Sequence, residues 1–161
     1  MRWRLFDAER DGMAGWRCVS DKVMGGASVG TLRQERVAGR VALRLTGEVS
    51  LENDGGFLQM ATDMGAAPAS DGIEIEVLGD GAEYNLHLKT DAVEKPWQSY
   101  RATFRAGPEW TRIRLPFADL AAHRIDAPFD PSGLRRIGLV AIGRAFRPDL
   151  SLAALDLFGE N

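Results

Sequence analysis

Strict alternation of apolar and polar residues recurs along the chain, and it limits the possible fold more than any other feature. In residues 73–77, three apolar side chains alternate with Glu74 and Glu76, and residues 41–45 and 84–89 follow the same period of two. That period is typical of a β-strand with one face in the core and the other in water. We predict further strands at residues 3–6, 28–33, 49–51, 57–62, 99–105, 111–115, 137–142 and 150–158.

Glycine-rich sequences such as MGG at 24–26 and NDGG at 53–56 separate these segments and favour turns. Short strands at intervals of roughly 8–12 residues, joined by such turns, indicate an all-β fold. We therefore predict an antiparallel jelly-roll β-sandwich with at most one or two short helices. The helical candidate is residues 117–122, because Pro116 suits the start of a helix.

Composition predicts one β-sandwich domain over residues 1–161. The 161 residues are 45% apolar, which is enough to form a hydrophobic core at this length. The net charge of −3 disfavours nucleic acid as a partner. No stretch of sequence is long and apolar enough to span a membrane, and the first residues lack the apolar segment of a signal peptide. We therefore expect a cytoplasmic location.

Residues 26–30 (GASVG) match the G-x-S-x-G pattern of serine hydrolases around Ser28. That pattern requires a strand before the serine and a helix after it, whereas a strand is predicted to follow Ser28. Only His87 and His123 could act as the base. A serine esterase that uses Ser28 is thus a remote alternative, and we expect no enzymatic activity and no catalytic residues.

Several acidic and amide side chains in the predicted turns could hold a calcium ion, namely Asp21, Glu52, Asn53, Asp54 and Asp80. The same residue types also favour turns by bonding to their own backbone. The spacing of an EF-hand is absent, and a single cysteine excludes a metal site built from several cysteines. We expect no metal and no cofactor, with a structural calcium as the open alternative.

Among the aromatic residues with polar edges, five stand out, namely Trp16, Tyr84, Trp97, Tyr100 and Trp110. Most of them are expected in the core. If Trp97 and Tyr100 lie on an open sheet face or in a loop, they could stack on a sugar ring or anchor a protein partner. A carbohydrate-binding or small-ligand-binding module is therefore an alternative function.

Two long blocks, WRCVSDKVMGGAS at 16–28 and LTGEVSLENDGGF at 45–57, are unusual in composition. Further along, GDG at 79–81 precedes Tyr84, WQ stands at 97–98, Trp110 precedes LPF at 115–117, and GL stands at 138–139. In these blocks the chain resembles the NADH:ubiquinone oxidoreductase complex I intermediate-associated proteins, and the resemblance covers nearly the whole sequence. It implies a galactose-binding-like β-sandwich without a catalytic residue.

The resemblance also implies a role. Mitochondrial members of that family are assembly factors, or chaperones, for intermediates of respiratory complex I, and relatives occur in bacteria. The expected partner is therefore a protein, such as a complex I subunit or an assembly intermediate. The family-like blocks and the aromatic residues give these candidates for contact with a partner or ligand: Trp16, Asp21, Met24, Ser28, Asn53, Tyr84 and Trp97.

The glycine pairs of the two blocks are expected to form structural turns: Gly25, Gly26, Gly55 and Gly56. Asp21 and Asn53 could hold those turns together by hydrogen bonds to the backbone. The same loops could equally present a binding surface, because function is often placed on loops. Both roles stay open from the sequence.

Overall fold

The computed structural model describes residues 1–159, without the side chain of Asp54, and shows two antiparallel β-sheets packed face to face. The strands in this part of the chain are β1 (Arg2–Asp7), β2 (Trp16–Ser20), β3 (Val29–Val37), β4 (Arg40–Glu48), β5 (Phe57–Asp63), β6 (Gly72–Gly79), β7 (Glu83–Thr90), β8 (Ser99–Arg105), β9 (Thr111–Pro116), β10 (Ala121–His123), β11 (Leu134–Ile142) and β12 (Asp149–Phe158).

The first sheet, sheet A, has the strand order β3-β4-β12-β6-β9. Its central strand β12 pairs along one edge with β4 through Asp149–Leu152 and then with β1 through Ala154–Phe158. The second sheet, sheet B, has the order β10-β8-β7-β11-β5-β2. Neighbouring strands in both sheets are antiparallel, which confirms the predicted jelly-roll sandwich.

Alternate residues of the strands fill the space between the two sheets. Ile73 and Ile75 of β6 and Leu86 and Leu88 of β7 are fully buried, in agreement with the period-two pattern. The opposite faces of these strands are less exposed to solvent than the period-two pattern predicts. Burial of apolar side chains contributes about 25 cal/mol per Å² to folding, so this shared core holds the two sheets together.

The predicted strands agree with the observed ones at most positions, and residues 99–105 coincide with β8. Residues 49–51 are the exception, because Val49 makes one isolated bridge to Phe146 before the chain turns at Glu52–Asp54. Val49 is buried, which explains why an apolar residue stands at this position outside a strand. Strands β2 and β10 lie outside the predicted set.

The predicted helix at 117–122 is reduced to a 3-10 turn at Phe117–Asp119. Strand β10 begins directly afterwards, because pairing of its backbone with β8 competes with helix formation. The one α-helical turn of the described chain, α1 (Ala8–Asp11), was not predicted, although Asp7 caps its N-terminus and Gly12 ends it. Further 3-10 turns lie at Asp21–Met24, Glu52–Asp54 and Pro131–Gly133.

The outer face of sheet A is covered by ion pairs between its strands. Glu74 of β6 is 4% exposed and lies among the guanidinium groups of Arg2, Arg112 and Arg114 at 3.1–3.3 Å. Arg4 of β1 binds Asp156 of β12 in the same way, at 2.9 Å. Charges on this face therefore neutralise one another.

Candidate functional site

The outer face of sheet B has a depression at its centre. In the strand register, Gly138 of β11 lies opposite Ala61 of β5 on one side and His87 of β7 on the other. His87 in turn lies opposite Arg101 of β8. Gly138 has no side chain, and a Cβ atom there would collide with the side-chain oxygen of Gln59. Small residues at the centre of the sheet thus leave room for larger polar side chains around them.

Two groups of loop residues rise around the depression and form the walls of a cleft of about 380 Å³. The first comprises Val23 and Met24 of the Asp21–Met24 turn together with Leu51. The second comprises Pro96 and Trp97, in the loop that connects β7 to β8.

The rim of this cleft concentrates exposed apolar surface. Among the described residues, the large apolar side chains that are exposed are Met1, Val23, Met24, Val29, Leu51 and Trp97. Val23, Met24, Leu51 and Trp97 all line the cleft, so four of these six side chains surround one site. Val23 is 74% exposed and Trp97 is 49% exposed. Exposed apolar patches of this kind mark binding surfaces on proteins.

The floor of the cleft is basic and half-buried. Burial, with smaller contributions from the nearby Arg101, His123 and Lys89, lowers the pKa of His87 to about 3, so the ring is neutral. Burial, together with Arg136 and Arg101, also lowers the pKa of Lys89. His123 shows a lowered pKa for the same two kinds of cause.

The carboxylate of Asp21 anchors the turn that carries Val23 and Met24. Asp21 is fully buried, and it accepts hydrogen bonds from the backbone N–H and the hydroxyl of Ser28, at 2.9 and 2.6 Å. It also accepts from the N–H groups of Gly56 and Phe57 at the start of β5. Burial alone would raise the pKa of Asp21, but these hydrogen bonds together lower it.

The Ser28 hydroxyl extends this network to a third segment. It accepts a hydrogen bond from the backbone N–H of Ser50 at 2.9 Å. Gly26 and Gly55 pack directly against the Asp21 carboxylate, where a Cβ atom would not fit. Gly25 adopts φ +87°, a left-handed conformation that favours glycine, and ends the Asp21–Met24 turn. One buried carboxylate therefore explains several residues of the blocks at 16–28 and 45–57, namely Gly26, Ser28, Gly55 and Gly56.

The structure places the sequence-predicted contact residues in different environments. Met24 and Trp97 lie on the rim of the cleft, and Gly55 and Gly56 also line it. Asn53 is exposed beside the rim in a left-handed conformation, with φ of 56°. These loop residues keep a partner-contact role as a prediction.

The other predicted contact residues are buried and do not line the cleft, so direct contact through them is not supported by their positions. Asp21 and Ser28 are fully buried in the network described above, so neither can touch a partner directly. Trp16 is 8% exposed, packs against Phe6 with ring centroids 5.1 Å apart, and lines a separate depression, away from the cleft. Tyr84 is fully buried, and its hydroxyl donates to Asp80 and accepts from the N–H of Asp149, which joins the two sheets.

Tyr100 likewise cannot form an aromatic platform with Trp97. Its ring is 1% exposed, and its hydroxyl donates to the carbonyl oxygen of Ala127 at 2.7 Å. Tyr100 points inward from β8 because it alternates with Arg101, whose side chain lines the cleft. A carbohydrate site at this cleft would therefore have Trp97 without the predicted second ring.

Ser28 is not positioned as a nucleophile. Its hydroxyl is buried and bonded to a carboxylate, and neither histidine is among its hydrogen-bond partners. Within residues 1–159, with the side chain of Asp54 outside the described structure, no three His, Cys, Asp or Glu side chains are grouped as a metal site would need. Asp21 and Asp80, two members of the calcium hypothesis, are instead engaged in separate hydrogen-bond networks.

Sequence analysis missed most of the cleft floor. Gln59, Lys89, Arg101 and Arg136 lie on four different strands and come together only through strand register. The alternation pattern could have revealed them, because each occupies a polar position in an alternating strand and so lies on the outer face of the sheet. Val23 and Leu51 were missed because an isolated apolar residue in a loop sequence does not reveal its exposure.

Similar solved structures define the class of this fold. A family 11 carbohydrate-binding module of the cellulosomal cellulase Lic26A-Cel5E of Clostridium thermocellum superposes with a TM-score of 0.79 at 12% identity, over 99% of this chain and 95% of that one. A family 30 module of cellulase Cel9D-Cel44B of the same organism gives 0.71 at 14% identity, over 100% and 99% of the two chains. The protein thus has the jelly-roll β-sandwich fold of these modules.

Sequence comparison then identifies the family. Residues 5–152 match the family described as Complex I intermediate-associated protein 30 (CIA30), and the chain belongs to that family. No curated protein sequence matches the chain. Among the helices of residues 1–159, none has the length and apolar character needed to cross a membrane.

Proposed function

We propose that this protein is a non-enzymatic binding module that holds a protein partner in the cleft on the outer face of sheet B. The observation that carries the proposal is the gathering of Val23, Met24, Leu51 and Trp97 around one cleft. Trp and Met are enriched at protein interfaces, and an aromatic anchor near the centre of a patch typically supplies much of the binding energy.

Family membership supports a more specific role. The CIA30 family is named for association with complex I intermediates. In this proposal the protein acts in the cytoplasm as an assembly factor or chaperone that binds a subunit or an assembly intermediate of respiratory complex I. The proposal needs no cofactor, because apolar contact and hydrogen bonding are sufficient for binding.

Affinity capture tests the role and the site together. The tagged protein is used to capture partners from host lysate and solubilised membranes, and a variant with both Met24→Ser and Leu51→Ser is compared with wild type. The matched control is Val29→Ser, which removes an exposed apolar side chain (47% exposed) outside the cleft. We expect complex I subunits with wild type and Val29→Ser, and a loss of about tenfold or more with the double variant.

Each contrary result removes a defined part of the proposal. Equal recovery of complex I subunits by the double variant would show that another surface binds them. Absence of complex I subunits from the wild-type capture, together with normal complex I levels after deletion of the gene, would reject the assembly role. Thermal unfolding of all variants confirms that lost capture reflects the surface and not the fold.

A second candidate function is carbohydrate binding. It is favoured by the half-exposed ring of Trp97 above a polar floor that includes Gln59 and His87. One structurally similar module was solved in complex with a β-1,3-1,4-mixed-linked tetrasaccharide, with a TM-score of 0.77 and 12% identity over 98% of this chain and 95% of that one. Affinity electrophoresis in mixed-linkage glucan and a glycan array would show retention that Trp97→Ala abolishes, and a flat response would reject this candidate.

A further inference from the structure

The charges that line the cleft indicate the chemistry of its partner. Among the described side chains, every ionisable residue that lines it is basic: His87, Lys89, Arg101, His123 and Arg136. The whole chain carries a net charge of −3, so this face opposes the overall charge of the protein. A partner that is complementary to the cleft is therefore anionic.

Two of these cations have no acidic partner among the side chains that the structure describes. Lys89 donates from Nζ to the carbonyl oxygen of Pro96 at 3.0 Å, and Arg101 donates from Nε to the hydroxyl of Ser99 at 2.8 Å. Both acceptors are neutral. Arg136, in contrast, binds Asp63 at 2.9 Å, at the edge of the cleft. Lys89 and Arg101 thus keep positive charge that nothing described in the structure neutralises.

His87 provides an independent observation at the same place. It is 9% exposed, lines the cleft, and its Nε2 atom has no hydrogen-bond partner among the described residues. A buried polar atom without a partner costs free energy unless a bound group or water satisfies it. The neutral ring has one nitrogen that donates and one that accepts.

The outer face of sheet A shows that this arrangement is particular to sheet B. There, Arg2, Arg112 and Arg114 surround Glu74, and Arg4 binds Asp156. Carboxylates on the protein itself match those guanidinium groups. The cleft on sheet B presents cations of the same kind, and the matching carboxylates are missing from its described lining.

We propose that the cleft binds an acidic peptide segment whose Asp or Glu carboxylates lie over Lys89 and Arg101 while neighbouring apolar side chains pack on the rim. This inference rests on the proposed function, because it names the chemistry of the protein partner. Charge-assisted hydrogen bonds between carboxylates and Lys or Arg are among the strongest in proteins. Val23, Met24 and Leu51 are aliphatic, which suits peptide side chains, whereas sugar rings stack on aromatic faces.

Selection from a random peptide library displayed on phage tests the proposal without a known partner. The full-length protein is immobilised, and bound peptides are sequenced. We expect enrichment of Asp and Glu next to large apolar residues. The best peptide is then compared with its amide counterpart, in which each Asp becomes Asn and each Glu becomes Gln. We expect the amide peptide to bind about tenfold or more weakly, and added salt to weaken only the acidic peptide.

Variants of the protein assign the effect to the cleft. Lys89→Gln and Arg101→Gln should each weaken the acidic peptide about tenfold and leave the amide peptide unchanged. Arg105→Gln is the matched control, because Arg105 is on the same strand and in the same phase as Arg101 but does not line the cleft. Upon binding, the imidazole signals of His87 and His123 should shift in NMR spectra.

The outcomes separate this inference from the function on which it rests. Selected peptides without acidic residues, or equal affinity for the acidic and amide peptides, would overturn the inference and leave a protein-binding cleft in place. A library that yields no binder, together with loss of complex I capture, would reject the proposed function itself. Binding of an oligogalacturonate probe that Lys89→Gln abolishes, with no peptide selected, would replace the peptide with an acidic carbohydrate.

Discussion

A single carboxylate, Asp21, connects three segments of the chain that are distant in sequence. Its four hydrogen bonds come from Ser28 and from Gly56 and Phe57, and Ser28 in turn binds Ser50. Because the carboxylate is fully buried, any donor that loses its acceptor stays away from water. The rim of the cleft is therefore supported from below by a network that no partner touches.

Replacing Asp21 with asparagine should destabilise the fold by about 2–4 kcal/mol, because the amide nitrogen cannot accept the hydrogen bonds that one carboxylate oxygen now receives. Urea denaturation followed by circular dichroism measures the change. Glu52→Gln, which neutralises an exposed carboxylate nearby, should change stability by less than about 0.5 kcal/mol. Equal stability of Asp21→Asn and wild type would refute the structural role.

His87 should make stability depend on pH. Its folded pKa is about 3 and its ordinary value is 6.5, so between these values the unfolded chain binds more protons. Stability is then complete above about pH 6.5 and falls as the pH decreases toward 3, by about 2 kcal/mol at pH 5. Carboxylates titrate at about pH 4, in the lower part of this window, so the decrease between about pH 6.5 and pH 5 is the part that reports on His87.

The measurement is urea denaturation across that pH range for wild type, His87→Gln and His123→Gln. His87→Gln should flatten the dependence. His123→Gln should alter it less, because His123 is only half-buried. A wild-type profile that His87→Gln leaves unchanged would show that His87 titrates normally.

At the scale of elements, the glycine-rich turns contain glycine where another part of the chain lies too close for a side chain. Gly26 follows the Asp21–Met24 turn, and its Cα lies against the Asp21 carboxylate. Gly107, in contrast, lies in a loop with open space around the position of a Cβ atom. These two glycines form a matched pair for testing whether packing explains the conspicuous glycines of residues 16–28.

Gly26→Val should lower the free energy of unfolding by about 1–3 kcal/mol, because the new side chain displaces the buried carboxylate. Gly107→Val should change it by less than about 0.5 kcal/mol. Thermal melts of the two variants check the prediction. An unchanged melting temperature for Gly26→Val would mean that the turn can move away from Asp21 at little cost.

Strand prediction worked where one face of a strand is in the core and failed where packing overrides local pattern. Period-two alternation located β6 and β7 because one face of each strand is in the core. Strand β10 was not predicted, because its three residues at a sheet edge are defined as a strand only by pairing with β8. Residues 117–122 carried a helical signal that the same pairing overrides.

The two outer faces of the sandwich have different electrostatic character. Sheet A is covered by matched ion pairs, whereas sheet B presents a basic cleft with an apolar rim. The carboxylates of sheet A are matched by cations of the protein itself, whereas Lys89 and Arg101 in the cleft remain available to a partner. Sheet B is thus the face on which binding experiments should concentrate.

We predict that residues 1–161 unfold as one unit. The core between the sheets is continuous, with Leu150 and Leu155 of β12 packed into the same cluster as Leu86 and Leu139 of sheet B. Scanning calorimetry should give a calorimetric enthalpy equal to the van't Hoff enthalpy, the mark of a two-state transition. Two resolved transitions would show that the chain contains separate folding units.

The sequence by itself determined the class of fold, the positions of most strands and the family, because alternation and the blocks at 16–28 and 45–57 are local features of the chain. It also pointed to Met24 and Trp97, which lie on the cleft rim. It could not distinguish the buried Asp21 and Ser28 from exposed loop residues, since burial depends on which segments pack together. Only the tertiary structure brought Lys89, Arg101 and His87 together, because strand register and sheet order connect residues that are remote along the chain.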